Sequence, residues 1–517
     1  MNKDANILTA RTVANILLPA LPDPVPLEEA VFFAFDDRAF PFRSFAEVHL
    51  NGGRGTIVLP AGQPGSHDEH LHYYGTTIKI GDTFHMWYQG NSGEKSEWGN
   101  RECKVYRMCY ATSRDGRAWA KPDLGLTEFN GSKHNNIVEF PAMDEQLSGA
   151  VILYEPEDPN PARRYKMIFE GVSSDPDMRK RVGSSIYWGA AFSSDGLRWT
   201  LSAHNPLGSC LEMSGITKHR GIYYLNGQQP SWPHTHNKVR CLCTFASSDF
   251  DYWSPVSALG LNRASSDLAG PSNIEDVNHE REVHLGAAMW NRGNVILGIY
   301  GIWNGHASGD RRFVSMDLGL AISHDALHFH EPIPGFVFIN ARESERSVLG
   351  FAPALAQGQG MINHGDRTLY WYSCWRSFEG SGVFMNSWPR DRFGCLSAFR
   401  PFNNGPGCLD NGARPPHRVI TCPIQITDGD ANVYLNVDGL GEHASLRVSL
   451  VDEGFRPVTG CADADAAIIT GNGLRVPVRW KKTAALMKKH GRVRLDIQFD
   501  GIRPEDARLY AAYVASN

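Results

Sequence analysis

The chain has no long apolar run. None of its 517 residues lie in a stretch approaching the roughly 18 apolar residues that cross a bilayer as a helix, so no membrane partner is expected. The first thirty residues lack an apolar core followed by a small-residue cleavage site, the mark of a signal peptide. A cytoplasmic protein is expected, although a chain stripped of its leader would read the same. Basic blocks are also missing: 51 basic residues face 56 acidic ones, a net charge of −5, which argues against a nucleic-acid partner. No C-x-x-C knuckle occurs among the ten cysteines; Cys241-Leu242-Cys243 puts both thiols on one face of a strand, and the set reads as buried free thiols. A phosphate-cradling glycine loop is absent, so no nucleotide cofactor is implied. His279, Glu280 and His284 miss the zinc-protease spacing, which needs the second histidine four residues after the first on a helix.

What is present is a repeat. Ser113-Arg114-Asp115 with Trp119, Ser193-Ser194-Asp195 with Trp199, Ser247-Ser248-Asp249 with Trp253, and Ser323-His324-Asp325 with Phe329 share the pattern Ser-x-Asp-x-x-x-aromatic. Each follows an apolar strand-like run, such as Phe84 to Gly90 or Tyr165 to Gly171. A fifth run, Leu369 to Tyr372, precedes a degenerate copy around Asp391 and Phe393. The successive Asp positions lie 54 to 80 residues apart, room for one four-stranded antiparallel sheet each. Such a period predicts an all-β, five-bladed β-propeller. The repeated Asp side chains are expected to satisfy backbone amides in equivalent turns, and the aromatic four positions on to pack between blades. The motif therefore builds scaffold, and chemistry belongs where the blades differ.

Residues 1–60, rich in proline, read as a lead-in segment packed on the propeller, with a short helix near Thr12 to Leu18. Residues 61–400 form the propeller and 401–416 a proline- and glycine-rich linker. Beyond it, period-two alternation at Val433, Leu435 and Val437, at Leu446, Val448 and Leu450, and at Val493, Leu495, Ile497 and Phe499 predicts a C-terminal β-sandwich over 417–517, with a short helix at Thr483 to Lys489. The sandwich shows no cluster of catalytic groups, and its default role is structural or sugar-binding. A homo-oligomer is compatible with it, though no apolar seam demands one.

In a propeller the inner strand of each blade lines a central funnel, so polar residues opening those strands converge. Candidates are His67, Asp68, Glu69, His70 and His72 in the first blade and Asp144 and Glu145 in the second. The third offers Glu212 and Gln228, the fourth Glu280, Glu282 and His284, and the fifth Gln357, Gln359, Asn363 and His364. Trp87, Tyr88 and Trp371 suit either a sugar-stacking platform or the core. His70 and His72 share one strand face with Asp68 nearby, but no complete metal-ligand set is evident, and no metal or other cofactor is expected.

The stretch from Glu212 to Leu225, with small residues, an apolar pair, Lys218, a Gly221 turn and Tyr223-Tyr224-Leu225, resembles the acid-bearing strand of the five-bladed glycoside hydrolases of families 43 and 32. The likeness covers roughly Gly53 to Phe399, and the sandwich is similar to the accessory domain of family 32. The Trp-Met-Asn-Asp-Pro-Asn-Gly and Arg-Asp-Pro signatures of typical invertases are missing, as is their Glu-Cys pair at Glu212, which argues against ordinary sucrose or fructan hydrolysis. The resemblance implies a carbohydrate substrate and three carboxylates. Asp68 or Glu69 would be base or nucleophile, Asp144 would tune the acid, and Glu212 would be the general acid. Glu282, His284, His72, Gln228, Trp87, Tyr88 and Trp371 would contact substrate. Some family 43 enzymes hold calcium through a last-blade histidine, and His364 resembles that position loosely. The expected activity is hydrolysis of a terminal sugar, furanosidic in the manner of an arabinoside or fructoside. Alternatives are a glycoside phosphorylase, with Arg281, Arg312 and Arg376 binding phosphate, or a non-catalytic carbohydrate-binding propeller.

Overall fold

The computed structural model describes residues 27–92, 95–98, 101–104, 106–141, 147, 149–173, 175–230, 239–263, 279–306, 313–343, 353–374, 382–399, 416–483 and 485–516. Over these residues the protein is almost entirely β, with one α-helix at Pro176–Val182. No helix there is long and apolar enough to cross a membrane. The Thr12 to Leu18 segment lies outside the described residues.

Five strands open five antiparallel sheets: His70–Ile80, Gly149–Tyr154, Glu212–His219, His279–Asn291 and Leu355–His364. Each of the five packs against the next and the last against the first, making a closed ring of inner strands. A single parallel bridge, Gln359 to Thr76, joins the first and fifth sheets. The outermost strand of the fifth sheet, Thr56–Pro60, comes from far earlier in the chain and pairs with Gly382–Pro389. The first and last segments of the ring are thereby held in one hydrogen-bonded sheet.

In the first three copies the repeated turn joins the third and fourth strands of its sheet, and in the fourth it follows the third strand and leads to a single bridge between Ile322 and His330. In the first copy Ser113 Oγ donates to Asp115 Oδ1 at 3.0 Å, and that oxygen accepts the amides of Arg117 and Ala118, each at 2.8 Å. The other three copies repeat this network around Asp195, Asp249 and Asp325. The Ala118 amide, opposed by a smaller desolvation effect and joined by the Arg117 amide and the Ser113 hydroxyl, holds the Asp115 carboxyl below its usual range. The residue after each Asp takes a left-handed backbone: Gly116 (φ 72°), Gly196 (φ 75°), Phe250 (φ 72°) and Ala326 (φ 63°). Its carbonyl accepts the indole N–H of the motif's own tryptophan in the first three copies. At Asp391 the fifth sheet departs from the pattern: buried and itself left-handed (φ 62°), it pairs with Arg292 and accepts a hydrogen bond from Tyr513.

Lys95–Trp98 and Arg101–Lys104 form a separate two-stranded sheet, and the remaining strands form two further sheets that enclose a common apolar core, with Val433, Leu435, Leu446, Val448, Leu495 and Ile497 all buried in it. Alternate residues of these strands point inward, which is why period-two patterning was readable there. The lead-in is more deeply woven than a packed segment. Glu29–Phe33 pairs with Arg508–Ser516, Phe42–Ser44 with Arg418–Ile420, and Ala46–Leu50 with Gly394–Ala398. The helix expected at Thr483 to Lys489 does not form: Leu486–Met487 is a short strand paired to Asp430 and Ala431, followed by a 3-10 turn at Lys488–His490. Burial of Leu486 against the sheet wins over local helix propensity.

Candidate functional site

The axis of the strand ring is plugged at mid-height. Gln359 accepts the amide hydrogen of Ile216 and donates to Ile152 O at 3.4 Å, while Thr76 Oγ1 accepts the Ile152 amide hydrogen. Two mouths result. The trailing mouth is a cavity of about 460 Å³ lined in part by Lys79, Tyr154, Asn291, Arg292 and Arg390. Among the described residues no carboxylate lines it. The opening ends of the inner strands form the other mouth, and the carboxylates gather at that end.

Glu212 opens the third inner strand opposite Gln228 in register. Gln228 Nε2 donates to the Glu212 carboxylate, and Gln228 Oε1 accepts the Leu285 amide hydrogen at 2.7 Å. One glutamine thus fixes Glu212 against the fourth sheet. Arg240 Nη1 lies 3.0 Å from His284 Nδ1, and its guanidinium covers the Trp303 ring at 5.4 Å from the centroid. His284 also packs on Trp303, with ring centroids 5.0 Å apart. Gln357 Nε2 donates to His284 O at 2.6 Å and to Gly286 O at 2.8 Å, bracing that strand from the fifth sheet. Glu282, two residues before His284 and so on the same strand face, is 1 % exposed.

From the first sheet come Tyr74, Tyr106 and His72. The His72 ring lies 6.1 Å from Tyr74 and 5.6 Å from Tyr106. Desolvation, then the charge of Glu212, push the Tyr74 phenol far up, with Arg240 opposing. The Cys210 thiol is likewise raised, first by desolvation and then by Glu170 and Glu212, again with Arg240 opposing. Glu212, Glu170 and Arg240 therefore act on common neighbours. Sequence reasoning missed Glu170, Arg240, Tyr74, Tyr106 and Trp303. Glu170 carried a signal: a carboxylate within the buried run Tyr165–Val172 demands a partner or a purpose.

Other expected site residues are placed differently. Asp68 is 2 % exposed and its Oδ2 receives Lys121 Nζ at 2.6 Å and the Tyr88 hydroxyl at 2.7 Å. Lys121 also donates to Pro60 O on the outermost strand of the fifth sheet, so Asp68 serves a tie between sheets. Burial alone would raise its carboxyl, but the Lys121 charge and hydrogen bond, then His67 and Tyr88, hold it low. Glu69 accepts the Gly65 amide hydrogen at 2.8 Å and closes a surface turn. Trp87 and Trp371 are core, not platforms: both are essentially unexposed, and their indoles donate to Gly196 O at 2.7 Å and Gly116 O at 3.0 Å. Tyr88 is also buried, against Asp68 and Asn136. His67 Nε2 lies 2.6 Å from Asn136 Oδ1. Asn363 donates to Asp391, and the His364 ring packs on Phe84. Asp144, Glu145, Arg312 and Arg376, and the side chains of Glu280 and Arg281, lie outside the described residues.

The tail of the Glu212 strand is scaffold. Lys218 and Tyr223 both donate to Glu155, which also pairs with buried Lys166 at 2.9 Å. Burial opposes the charged form, yet the hydrogen bonds from Lys218, Tyr223 and Lys166 prevail and bring the Glu155 carboxyl from 4.5 down to about 2. A depressed carboxyl stabilises the fold above its unfolded value and ceases to as pH falls through the folded value. The Tm advantage of wild type over Glu155→Gln is therefore expected to be constant above about pH 5 and to shrink between about pH 4.5 and 2. Thermal melts across that range check it; a difference that does not depend on pH would contradict the assignment.

No family model matches the chain, and no curated protein matches it. Solved structures do. One is a glycosyl hydrolase from Bacteroides ovatus, with 14 % identity, 66 % of this chain and 95 % of that chain covered, and a TM-score of 0.41. Another comes from work on the GH130 family of mannoside phosphorylases, which contains glycoside hydrolases that target β-1,2-mannosidic linkages in Candida mannan; identity is 14 %, coverage 69 % and 98 %, and the TM-score 0.40. A third is an α-L-arabinofuranosidase from Podospora anserina in complex with cellotriose, with 8 % identity, coverage of 66 % and 98 %, and a TM-score of 0.40.

Proposed function

We propose that the chain is a glycoside hydrolase built on a five-bladed propeller with a C-terminal sandwich, cleaving a terminal sugar with Glu212 as general acid. The observation that carries this reading is that Glu212, Glu170 and Arg240 act on one neighbour, Cys210, with Arg240 also meeting His284, where the inner strands of a closed ring open. Glycosidic cleavage develops oxocarbenium character, so it needs a protonated acid at the leaving oxygen and a carboxylate on the other face of the ring. Gln228 Nε2 donates to one Glu212 oxygen and so holds the carboxyl group at the opening of its strand, where it would meet the leaving oxygen. Glu170 supplies the nearby negative charge that keeps an acid protonated, the role expected of Asp144. Glu282, on the fourth sheet, is the second carboxylate. A furanosidic substrate is supported by the likeness of the Glu212 strand to families 43 and 32.

A phosphorylase is the second reading, favoured by Arg240, a guanidinium in the same mouth and suited to bidentate phosphate binding. Release of sugar from a panel of aryl furanosides and pyranosides, with and without inorganic phosphate, separates the readings. Hydrolysis is expected to proceed without phosphate and to be unchanged by it. Cleavage only with phosphate would make the chain a phosphorylase, and sugar binding without turnover would make it a binding module.

A further inference from the structure

Far from this mouth, the lead-in meets the repeated turn of the fourth sheet, and the contact is made of ionisable groups. Asp36 and Asp37 follow the strand Glu29–Phe33. His324 occupies the variable position of Ser323-His324-Asp325, and His330 bridges back to Ile322 in the same sheet. His330 Nε2 lies 3.1 Å from Asp37 Oδ1, and His324 Nε2 lies 3.1 Å from Asp36 Oδ2. One ligand atom from each of Asp36, Asp37 and His330 falls within 4.8 Å of the other two.

Two features set this group apart from surface ion pairs. Asp36 is 0 % exposed, and its Oδ2 receives no hydrogen bond: Arg38 N and His324 Nε2 direct theirs to Oδ1, at 2.9 and 3.2 Å. A buried carboxylate oxygen in that position is costly unless something positive meets it. Arg43 gives it no hydrogen bond, since its Nε donates to Phe40 O at 2.9 Å and Nη2 to Ala34 O, and the group that faces Oδ2 is His324 Nε2, at 3.1 Å. Cys422, close enough to feel the Asp36 charge, brings no positive charge either.

We propose that Asp36, Asp37 and His330, with His324 beside them, form a binding site for a divalent transition metal of the zinc class, which staples the lead-in to the fourth sheet. Two carboxylates and one imidazole are ligands that Zn²⁺ accepts, with water in the fourth position. Bonds of about 2.0–2.2 Å in a tetrahedron put neighbouring ligand atoms roughly 3.3 Å apart, close to the 3.1 Å between His330 Nε2 and Asp37 Oδ1. Asp36 supplies the buried end of the site. Asp37 and His330, with side chains 68 % and 37 % exposed, give an ion its way in.

The test is calorimetric titration of the untagged full-length protein, freed of metal by chelator and dialysis, with Zn²⁺. It is paired with thermal melts and with the visible spectrum of the Co²⁺ form. One ion per chain, a Zn²⁺-dependent rise in Tm and tetrahedral Co²⁺ absorption are expected. His330→Gln and Asp37→Asn, both at exposed positions where the apo fold should persist, are expected to weaken binding by more than the roughly 10–100-fold cost of losing an outer-shell partner. They should also abolish the rise in Tm. Absence of stoichiometric binding, or binding undiminished in both variants, would overturn the site and leave two hydrogen-bonded His–Asp pairs, with any residual metal held by other histidines.

Discussion

Glu212→Gln lowers kcat/KM on substrates with poor leaving groups by at least about 100-fold, the usual contribution of a positioned general acid. The amide keeps the shape of the side chain and can still meet Gln228, so the fold and the mouth should survive and Tm should hardly move. What is lost is the proton. The deficit should therefore depend on the leaving group: large for alkoxides, which need protonation as the bond breaks, and small for nitrophenolates, which do not. A Brønsted series run on wild type and variant reads this directly. The alkaline limb of the kcat/KM profile, which reports ionisation of the acid in free enzyme, should vanish in the variant. Equal losses across all leaving groups would make Glu212 a binding residue, and no loss would move the acid to Glu170 or Glu282.

The repeat made the ring of sheets legible, because every copy solves the same problem, turning after the third strand of its sheet while satisfying backbone amides. Period-two alternation did the same for the two C-terminal sheets. The weaving of residues 29–60 through three sheets was not legible, since strands paired across more than 300 residues leave no local mark. The rule that openings of inner strands converge picks out Glu212, Glu282 and His284, whereas Gln228 lies on a second strand, opposite Glu212. Asp68 followed the same rule and was misjudged because its cation, Lys121, arrives 53 residues later from beyond the outer strand of its sheet. Glu170 and Arg240 sit on second and third strands, away from the inner-strand openings where the sequence pattern directs attention. Opposite Glu170 in register is Gly149, a pairing that no single-sequence pattern announces.

Trp87 is where stability and recognition give opposite expectations. An indole used as a sugar platform must present a face to solvent, and its removal raises KM with little effect on folding. The Trp87 ring is 1 % exposed and lies against Gly196 of the neighbouring sheet, to whose carbonyl it donates. A Cβ built on Gly196 would stand 2.7 Å from Trp87 Cζ2, so the glycine and the indole are fitted to each other. Trp371 and Gly116 repeat the arrangement between the fifth and first sheets, with 2.8 Å to the same ring atom. In the third and fourth copies Phe250 and Ala326 stand at this position with the same left-handed backbone. What Gly196 preserves is therefore room for the indole as well as a turn. Trp87→Ala opens a cavity the size of an indole and removes one of the two indole donors to the Gly196 carbonyl, leaving that of Trp199, an expected cost of about 3–5 kcal/mol. Trp87→Phe, which keeps much of the volume but not the N–H, should cost less, with about 1 kcal/mol for the hydrogen bond beyond its packing loss. At temperatures where both variants remain folded, KM should match wild type. Denaturant melts beside steady-state kinetics decide the matter: an unchanged unfolding midpoint with a raised KM would return Trp87 to the sugar site.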